Sequence, residues 1–359
     1  MNEDKEFGEY RSYLLRKIIF ILVILVAVTL LFLYSLSLGK MDMGLWDTFQ
    51  YIFNHLTGVT YEPGTREWFC DHLIFNRNMP ESTFAVIAGA SLAVAGVAMQ
   101  SVMNNPLADA YTTGISSGAC LGVAIAIVLG INIFEVGIGS RLGIISNAFI
   151  FSLLPMVLIL LVSKRLDKSP TSLILAGTAI SFFFNSFTML VLLSATNESL
   201  SAVYSWEIGH IGGTTWESVP YMAGVSIVGM IIISLFSKKL NIMSSGENSA
   251  KALGLDIDTL RTFCLIIMSL MVASVISFAG IIGFVGLVCP HIVRTVIDAD
   301  NRFVIPASAV LGAIMLLGAM IISELLATPQ LSMPLGVVLS FIGAPIFLLL
   351  IIRRNSNVW

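Results

Sequence analysis

The sequence predicts an all-α integral membrane protein, built as a polytopic bundle of about ten transmembrane helices. The chain of 359 residues is 57% hydrophobic and only 11% charged, whereas soluble domains carry about 25% charged residues. Uncharged stretches long enough to cross a bilayer as a helix, about 20 residues, also recur along the whole chain. These stretches are Ile18–Leu38, Ser82–Met103, Ala110–Phe134, Leu142–Ser163, Ser169–Asn197, Ser218–Ser237, Thr262–Val293, Phe303–Ser323 and Leu325–Ile352.

The first stretch, Ile18–Leu38, is interpreted as a transmembrane helix rather than as a cleavable signal peptide. It is too long for the apolar region of a signal peptide, and no small-residue cleavage site follows it. We expect the cations that precede it to stay in the cytoplasm.

The stretch Thr262–Val293 is too long for one ordinary span, and we predict that it forms two helices. The residues that break it are Gly280, Gly283, Gly286 and Pro290. The cations support this division, because membrane proteins keep Lys and Arg preferentially in the cytoplasm. With ten spans and both termini in the cytoplasm, 15 of the 19 Lys and Arg residues lie inside, and with nine spans only 11 do. The four that remain outside with ten spans are Lys40, Arg66, Arg77 and Arg141.

One transmembrane domain is expected over residues 1–359, without a soluble domain. External segments are predicted at about 39–81 and 195–220. The longest cytoplasmic segment, about 238–261, joins the sixth and seventh spans.

Charge and cysteine content exclude two kinds of site. The net charge of −3 offers no basic face, so no nucleic-acid partner is expected. The four cysteines lie far apart, which favours buried apolar side chains over a metal site. Cys70, Asp71 and His72 adjoin each other in a hydrophilic segment, but no matching ligand pair follows at a usual spacing. We therefore expect no metal site, and the role of this cluster stays open.

The cytoplasmic segment contains a short predicted helix. Ser244 or Ser245 is placed to cap it, Glu247 lies near its positive end, and Gly254 is placed to end it. Ala250 and Leu253 are three residues apart, so we expect them to share one apolar face. A short capped helix on the cytoplasmic surface suits a channel-forming subunit that receives force from a soluble motor. An ordinary amphipathic connector is the alternative.

Several motifs resemble those of the FecCD family, the permeases of iron-siderophore and vitamin B12 importers. The residues Gly246, Glu247, Ala250, Leu253 and Gly254 are similar to the family's ATPase-coupling loop. The most specific similarity is the run Gly280–Arg294. Further matching motifs are Gly96–Gln100, Asn105–Asp109, Gly114–Gly118, Ser205–Trp206 with Gly209 and Trp216, Pro334–Gly336 and Gly343–Pro345. The resemblance covers nearly the whole chain from about residue 75 and implies a BtuC-like type II ABC importer permease.

The resemblance implies a set of partners. They are a cytoplasmic ABC ATPase dimer, an extracytoplasmic substrate-binding protein and a second permease copy, identical or paralogous, within the lipid bilayer. The chain contains no Gly-x4-Gly-Lys-Ser/Thr run, so we expect ATP and Mg²⁺ to bind the separate ATPase. The chain itself is then expected to be a transport subunit without enzymatic activity, cofactor or metal.

Candidate site residues fall into three further groups. The candidate residues of the translocation pathway or gate are Asn105, Leu107, Thr171, Ser172, Thr178, Ser181 and Asn185. The family signature residues are Gly283, Phe284, Gly286, Pro290, His291 and Arg294. The candidate residues for docking of the binding protein are Arg77 and Glu81. The alternative for His291 and Arg294 is a polar anchor at the inner boundary, and Glu324 is interpreted as a solvated end charge. Gly89, Gly96, Gly114, Gly118 and Gly122 are expected to allow close helix packing.

The chain departs from the family at its outer side. Relatives usually show an Arg-x-Pro-Arg run before the second span, whereas Asn78-Met79-Pro80-Glu81 stands here, with Arg77 in place of the first arginine. An arginine and an acidic residue usual before the last span are replaced by Ala327 and Ser332. Docking of the binding protein is therefore expected to differ in detail.

The sequence leaves the cargo open. A ferric siderophore is the first choice, and a corrinoid such as vitamin B12, haem or molybdate are the alternatives. An ion-coupled secondary transporter would need ionisable residues within its spans, and few are present beyond His291 and Arg294. A membrane-embedded enzyme would need a cluster of His, Asp or Glu at membrane depth.

Overall fold

The computed structural model describes residues 2–39, 41, 43–134, 141–163, 169–328 and 333–352. Every regular element in these ranges is helical. In chain order the α-helices are α1 (Asn2–Leu36), α2 (Leu45–Leu56), α3 (Arg66–Leu73), α4 (Met79–Val102), α5 (Ile115–Val128), α6 (Arg141–Ser163), α7 (Pro170–Leu192), α8 (Asn197–Glu207), α9 (Val219–Leu235), α10 (Ser237–Ser244), α11 (Glu247–Ala252), α12 (Ile257–Ala279), α13 (Val285–Ile297), α14 (Asn301–Leu326) and α15 (Leu335–Ile352).

The structure confirms the predicted fold class. Within the described ranges, six helices are long and apolar enough to cross a membrane, and α9 with α10, bent by 59°, makes a seventh. Three shorter apolar helices, α5, α13 and α15, occupy the remaining predicted spans. Together these elements account for the ten apolar segments that the sequence predicts.

The third predicted span is shorter than expected. The stretch Ala110–Phe134 contains a 3₁₀ turn at Ala110–Thr113 and then only the 14 residues of α5. Gly114 before α5 and Gly130 after it have φ angles of 85° and 68°. Glycine adopts these left-handed angles without steric cost, so the two glycines bound the helix.

Helix α4 lies at the centre of the bundle. In the continuous helical span Arg66–Val102, which contains α4, 78% of the most apolar window is buried. The corresponding fractions are 11% for α1 and 17% for α7. Its neighbours include α9, α12, α13 and α14. The helices α1 and α7 therefore present most of their surface to the surroundings of the chain.

Two glycine pairs permit the closest crossings of α4. A Cβ atom on Gly96 would overlap the backbone of Gly286 in α13, and one on Gly89 would overlap the backbone of Gly312 in α14. Small residues at such crossings let helix backbones touch, which is how helices associate in membranes. The packing role expected for Gly89 and Gly96 is confirmed.

The predicted break in the seventh apolar stretch is confirmed. Helix α12 ends at Ala279 and α13 begins at Val285. Gly280 has a φ of 72°, and a Cβ there would overlap the carbonyl oxygen of Trp206 in α8. The backbone of His210, just after α8, donates a hydrogen bond of 2.8 Å to Ala279. The turn between α12 and α13 is thus packed against the segment that follows α8.

Both predicted external segments contain helices. The segment 39–81 holds α2, α3 and a π-helical turn at Ile74–Asn78 that leads into α4, and the segment 195–220 holds α8. Some cations used to predict the orientation lie outside the described residues, namely Lys40, Lys164, Arg165, Lys168, Arg353 and Arg354, as does Ser332. The orientation of the termini stays a prediction.

Candidate functional site

The predicted coupling helix forms, and it ends as expected. Helix α11 spans six residues, and Gly254 after it has a φ of 77°. The N–H groups of Gly254 and Leu255 donate to the carbonyls of Lys251 and Ala250, at 2.9 and 3.1 Å. This pair of bonds is a Schellman motif, which satisfies the last carbonyls of a helix and favours glycine at this position.

Two details of the coupling helix differ from the prediction. Its N-cap is Gly246, which has no side chain to cap with, and Ser244 and Ser245 belong to the end of α10. Ala250 and Leu253 do not share an exposed face. Ala250 is fully buried in the core, whereas Leu253, the C-cap of α11, is 70% exposed.

A buried arginine holds the coupling helix in place. Arg261 in α12 is 3% exposed and forms an ion pair with Glu247 of α11. Its Nε atom also donates to the carbonyl of Val102, at the end of α4, over 3.4 Å. Charge-assisted bonds of this kind are among the stronger ones in proteins. Arg261 therefore connects α11 to the ends of both α4 and α12.

A second connection joins α10 to the start of α14. The Asn241 amide donates to Asp300 over 2.8 Å and accepts from the N–H of Asn301 over 2.7 Å. Burial raises the pKa of Asp300, but hydrogen bonds from Arg302 and Asn241 outweigh burial and lower the pKa to about 2. Asn301 in turn donates to Ser101 of α4 over 3.1 Å. The segment around α10 and α11 is thereby linked to three long helices.

The signature residues have different structural roles. Arg294 is buried and donates to Gln100 of α4, while Pro290 and His291 are buried in the same helix, α13. Phe284, at the N-cap of α13, has a φ of 69°, an angle that is uncommon for residues other than glycine. Gly286 meets α4, whereas a Cβ on Gly283 would have no atom within 4 Å.

The loop between α4 and α5 carries the predicted gate residues Asn105 and Leu107. The side chain of Asn105 accepts a hydrogen bond of 3.0 Å from the N–H of Leu107, and Leu107 is 43% exposed. Further along, the hydroxyl of Tyr111 donates to the carbonyl of Ile282 over 2.6 Å. This loop is therefore joined to the turn between α12 and α13.

Three of the five predicted pathway residues on α7 lie together. Thr171, Thr178 and Asn185 recur every seven residues on one face, and all three are exposed. Ser181 instead lies half-buried against Gly114 and donates to the carbonyl of Gly177. Ser172 bonds to Ser169 at the start of the helix. The structure thus separates Ser172 and Ser181 from the exposed face.

The predicted outer side holds a charge cluster that contains both predicted docking residues, Arg77 and Glu81. Arg77 lies 3.2 Å from Glu324 and 3.7 Å from Glu81. Glu81 is only 8% exposed, and its carboxylate accepts a bond of 2.8 Å from the N–H of Gly213. Glu324, near the end of α14, is 35% exposed at its side chain and pairs with Arg77. We call Arg77, Glu81 and Glu324 the outer cluster; it borders a cavity of about 400 Å³.

The Cys-Asp-His run in α3 does not form a cluster. Cys70 is buried beside Met41, Asp71 lies 2.9 Å from the ring of His55, and the ring of His72 bonds to Asn76. Within the described ranges, no group of three or more His, Cys, Asp or Glu side chains is placed to hold a metal ion.

The sequence interpretation missed the residues that connect the coupling segment to the bundle, which are Asn241, Arg261, Asp300 and Asn301. Each lies at or near the end of an apolar stretch, where a polar residue is ordinarily expected to be solvated. The missing information was that Arg261 and Asn301 are buried and that Asn241 and Asp300 are half-buried, since periodicity over so few residues does not indicate which side faces the bundle.

Comparison with known proteins identifies the chain. The FecCD transport family matches residues 24–353. A protein of Methanocaldococcus jannaschii named as an ABC transporter permease is 36% identical, covering 98% of this chain and 99% of its own length. The Fe(3+)-citrate import system permease YfmD of Bacillus subtilis is 32% identical, covering 90% and 91%. A solved structure described as an inward-facing metal-chelate type ABC transporter has a TM-score of 0.79 at 25% identity, covering 93% and 99%. The chain therefore belongs to the FecCD family of ABC importer permeases.

Proposed function

We propose that the chain carries a ferric siderophore across the membrane into the cytoplasm, by alternating access driven by a separate ATPase. The observation that carries this proposal is the exposed face of α7. Thr171, Thr178 and Asn185 share this face with Phe182 and Met189, which are each 69% exposed. The face offers hydroxyl, amide and apolar groups and no charge.

An uncharged face suits the passage of a bulky chelate. A cargo has to bind well enough to enter a pathway and weakly enough to leave it. A ring of cations would bind an anionic ferric chelate too tightly for release, whereas hydroxyl and amide groups form individually weak hydrogen bonds with its polar periphery. We infer that two copies of this face, from two permease subunits, enclose the pathway.

The coupling part of the proposal rests on Leu253. Its side chain is a large exposed apolar group on the segment that resembles an ATPase-coupling loop. We infer that Leu253 enters a groove on the ATPase and that movement of α11 reaches the bundle through Arg261 and Asn241. These two residues contact the ends of α4 and α14.

The outer cluster limits how a binding protein could dock, because it neutralises the charge of Arg77. Arg77 is matched by two carboxylates within 3.2 and 3.7 Å, so it offers little net positive charge to an acidic partner. Glu81 is buried, so we infer that it does not contact the binding protein directly. Docking at this side is therefore expected to depend on surfaces other than an Arg–carboxylate pair.

Transport by the reconstituted complex tests the proposal. The permease, its ATPase and its binding protein are placed in vesicles, and uptake of radiolabelled ferric hydroxamate or ferric citrate is compared with uptake of cyanocobalamin, haem and molybdate. We expect ATP-dependent uptake of a ferric chelate. Uptake of cobalamin alone would reject the cargo and leave the family assignment untouched.

A matched pair of variants tests the pathway. Thr178→Asp places a negative charge on the exposed face of α7, and we expect uptake of an anionic ferric chelate to fall at least about tenfold, equivalent to about 1.4 kcal/mol in the barrier. Thr178→Val has a similar shape without charge and should retain most of the uptake. Normal uptake by Thr178→Asp would show that this face does not line the pathway.

A further inference from the structure

Helix α2, in the segment between α1 and α4, turns its apolar face away from the protein. Leu45, Trp46, Phe49, Phe53 and Leu56 lie on one side of this helix at the 100° per residue of an α-helix. Each of these side chains is between 59% and 77% exposed. A helix packed on a soluble domain does the opposite and buries such a stripe.

The remaining surface of α2 is divided between protein and water. On one side Thr48 is 2% exposed, Tyr51 and Ile52 are half-buried, and His55 contacts Asp71 of α3 at 2.9 Å. On the other side Asp47 and Gln50 are exposed. The helix therefore has a protein side, a polar exposed side and an apolar exposed side, each about a third of its circumference.

The apolar side of α2 is continuous with the exposed surface of α1. A groove of about 500 Å³ lies between the two helices, and its lining is almost wholly apolar. The most apolar window of α1 is only 11% buried, so this chain leaves most of the surface of this apolar helix uncovered. The groove is lined by Leu30, Leu33 and Tyr34 of α1 and by Leu45, Trp46 and Phe49 of α2, among others.

We propose that α2 is an interfacial helix, whose apolar face lies in the membrane leaflet at the C-terminal end of α1, and that the groove between α1 and α2 takes a lipid acyl chain. Trp46 and Tyr34 then lie where aromatic residues concentrate in membrane proteins, at the boundary between hydrocarbon and water. Asp47 and Gln50 face the water. This inference depends on the membrane-spanning fold and not on the proposed cargo.

The absence of Lys and Arg from α2 determines which lipid interactions this helix can make. Many interfacial helices carry Lys or Arg that attract anionic lipids, but α2 contains none. Its insertion therefore depends on apolar area, and the composition of the headgroups has little effect. A soluble protein docked on this face would have to displace the lipid that covers the adjoining surface of α1, which makes lipid the better occupant.

Spin labelling in vesicles tests the proposal. Single cysteines replace Phe49 and Phe53 on the apolar side and, as matched controls on the same helix, Asp47 and Gln50 on the polar side. All four sites are exposed, and the four native cysteines are buried. The full-length permease is reconstituted in phosphatidylcholine vesicles, and collisions of each nitroxide with oxygen, which enters hydrocarbon, and with a water-soluble nickel chelate are measured.

We expect the ratio of oxygen to nickel collisions to be several-fold higher at Phe49→Cys and Phe53→Cys than at the two controls. Equal access of the nickel chelate to all four labels would place α2 in water and overturn the proposal. Labels at 49 and 53 that are immobile and shielded from both reagents would show a protein cover, such as a second copy, and would also overturn it. Adding phosphatidylglycerol should leave the ratio unchanged, and a marked rise would contradict insertion by apolar area alone.

Discussion

Replacing Leu253 by alanine should weaken the binding of the ATPase to the permease without disturbing the fold of the permease. Full burial of a leucine side chain is worth about 1.5–3 kcal/mol, and 70% of Leu253 is exposed before any partner binds. Burial of that fraction in an ATPase groove would stabilise the complex by about 1–2 kcal/mol. At about 1.4 kcal/mol for each factor of ten, Leu253→Ala should weaken ATPase binding about 5- to 30-fold.

The measurement is the dissociation constant of the purified ATPase for the permease in detergent or nanodiscs. Leu142→Ala is the matched control, since Leu142 is a leucine of similar exposure, 59%, in the first turn of α6, away from the coupling segment. The control should bind the ATPase like the unaltered chain, and both variants should retain its melting temperature. If Leu253→Ala binds the ATPase as tightly as the control does, the assignment of this side chain to the interface is wrong.

Three further predictions follow from the burial of Ala250, the hydrogen bond of Glu81 and the predicted orientation of the chain. Ala250→Arg should lower expression and reduce the free energy of unfolding by about 3 kcal/mol or more, because it buries an unpaired charge. Ser249→Arg, at an exposed position, should remain folded. Equal melting temperatures of the two variants would contradict the buried position of Ala250. Glu81→Ala should cost about 1–3 kcal/mol in stability by leaving the N–H of Gly213 without its acceptor, measured by thermal unfolding, and an unchanged stability would count against this bond. Finally, an impermeant maleimide added to intact cells should label Gly212→Cys and not Ser249→Cys, and labelling of the second site would overturn the proposed orientation.

Part of the candidate site was predictable from local sequence. The glycine stop of α11, the break after Ala279 and the close contacts of Gly89 and Gly96 follow from residue types whose backbone properties hold in any surroundings. Glycine at a left-handed φ needs no distant partner to explain it. These predictions were confirmed because the cause and the effect lie within a few residues of each other.

Other parts depended on residues far apart in the chain. The sequence assigns Glu81 to docking, whereas the structure buries it beside Gly213, and Glu324 lies beside Arg77. Neither pairing leaves a trace in the local sequence. The burial of Ala250 has the same origin, since its position depends on how α10, α11 and α12 pack together.

The membrane explains where the sequence was sufficient and where it was not. A bilayer requires helices of about 20 apolar residues whose backbone groups bond within the same segment, so the positions of the apolar segments could be read from composition, and the glycine breaks with the distribution of cations divided the longest one. Lipid, however, is as apolar as the interior of the bundle, so hydrophobicity does not distinguish a lipid-facing side chain from a buried one. The central position of α4, the exposed faces of α7 and α2, and the partners of Arg261 and Glu81 were therefore decided only by the tertiary structure.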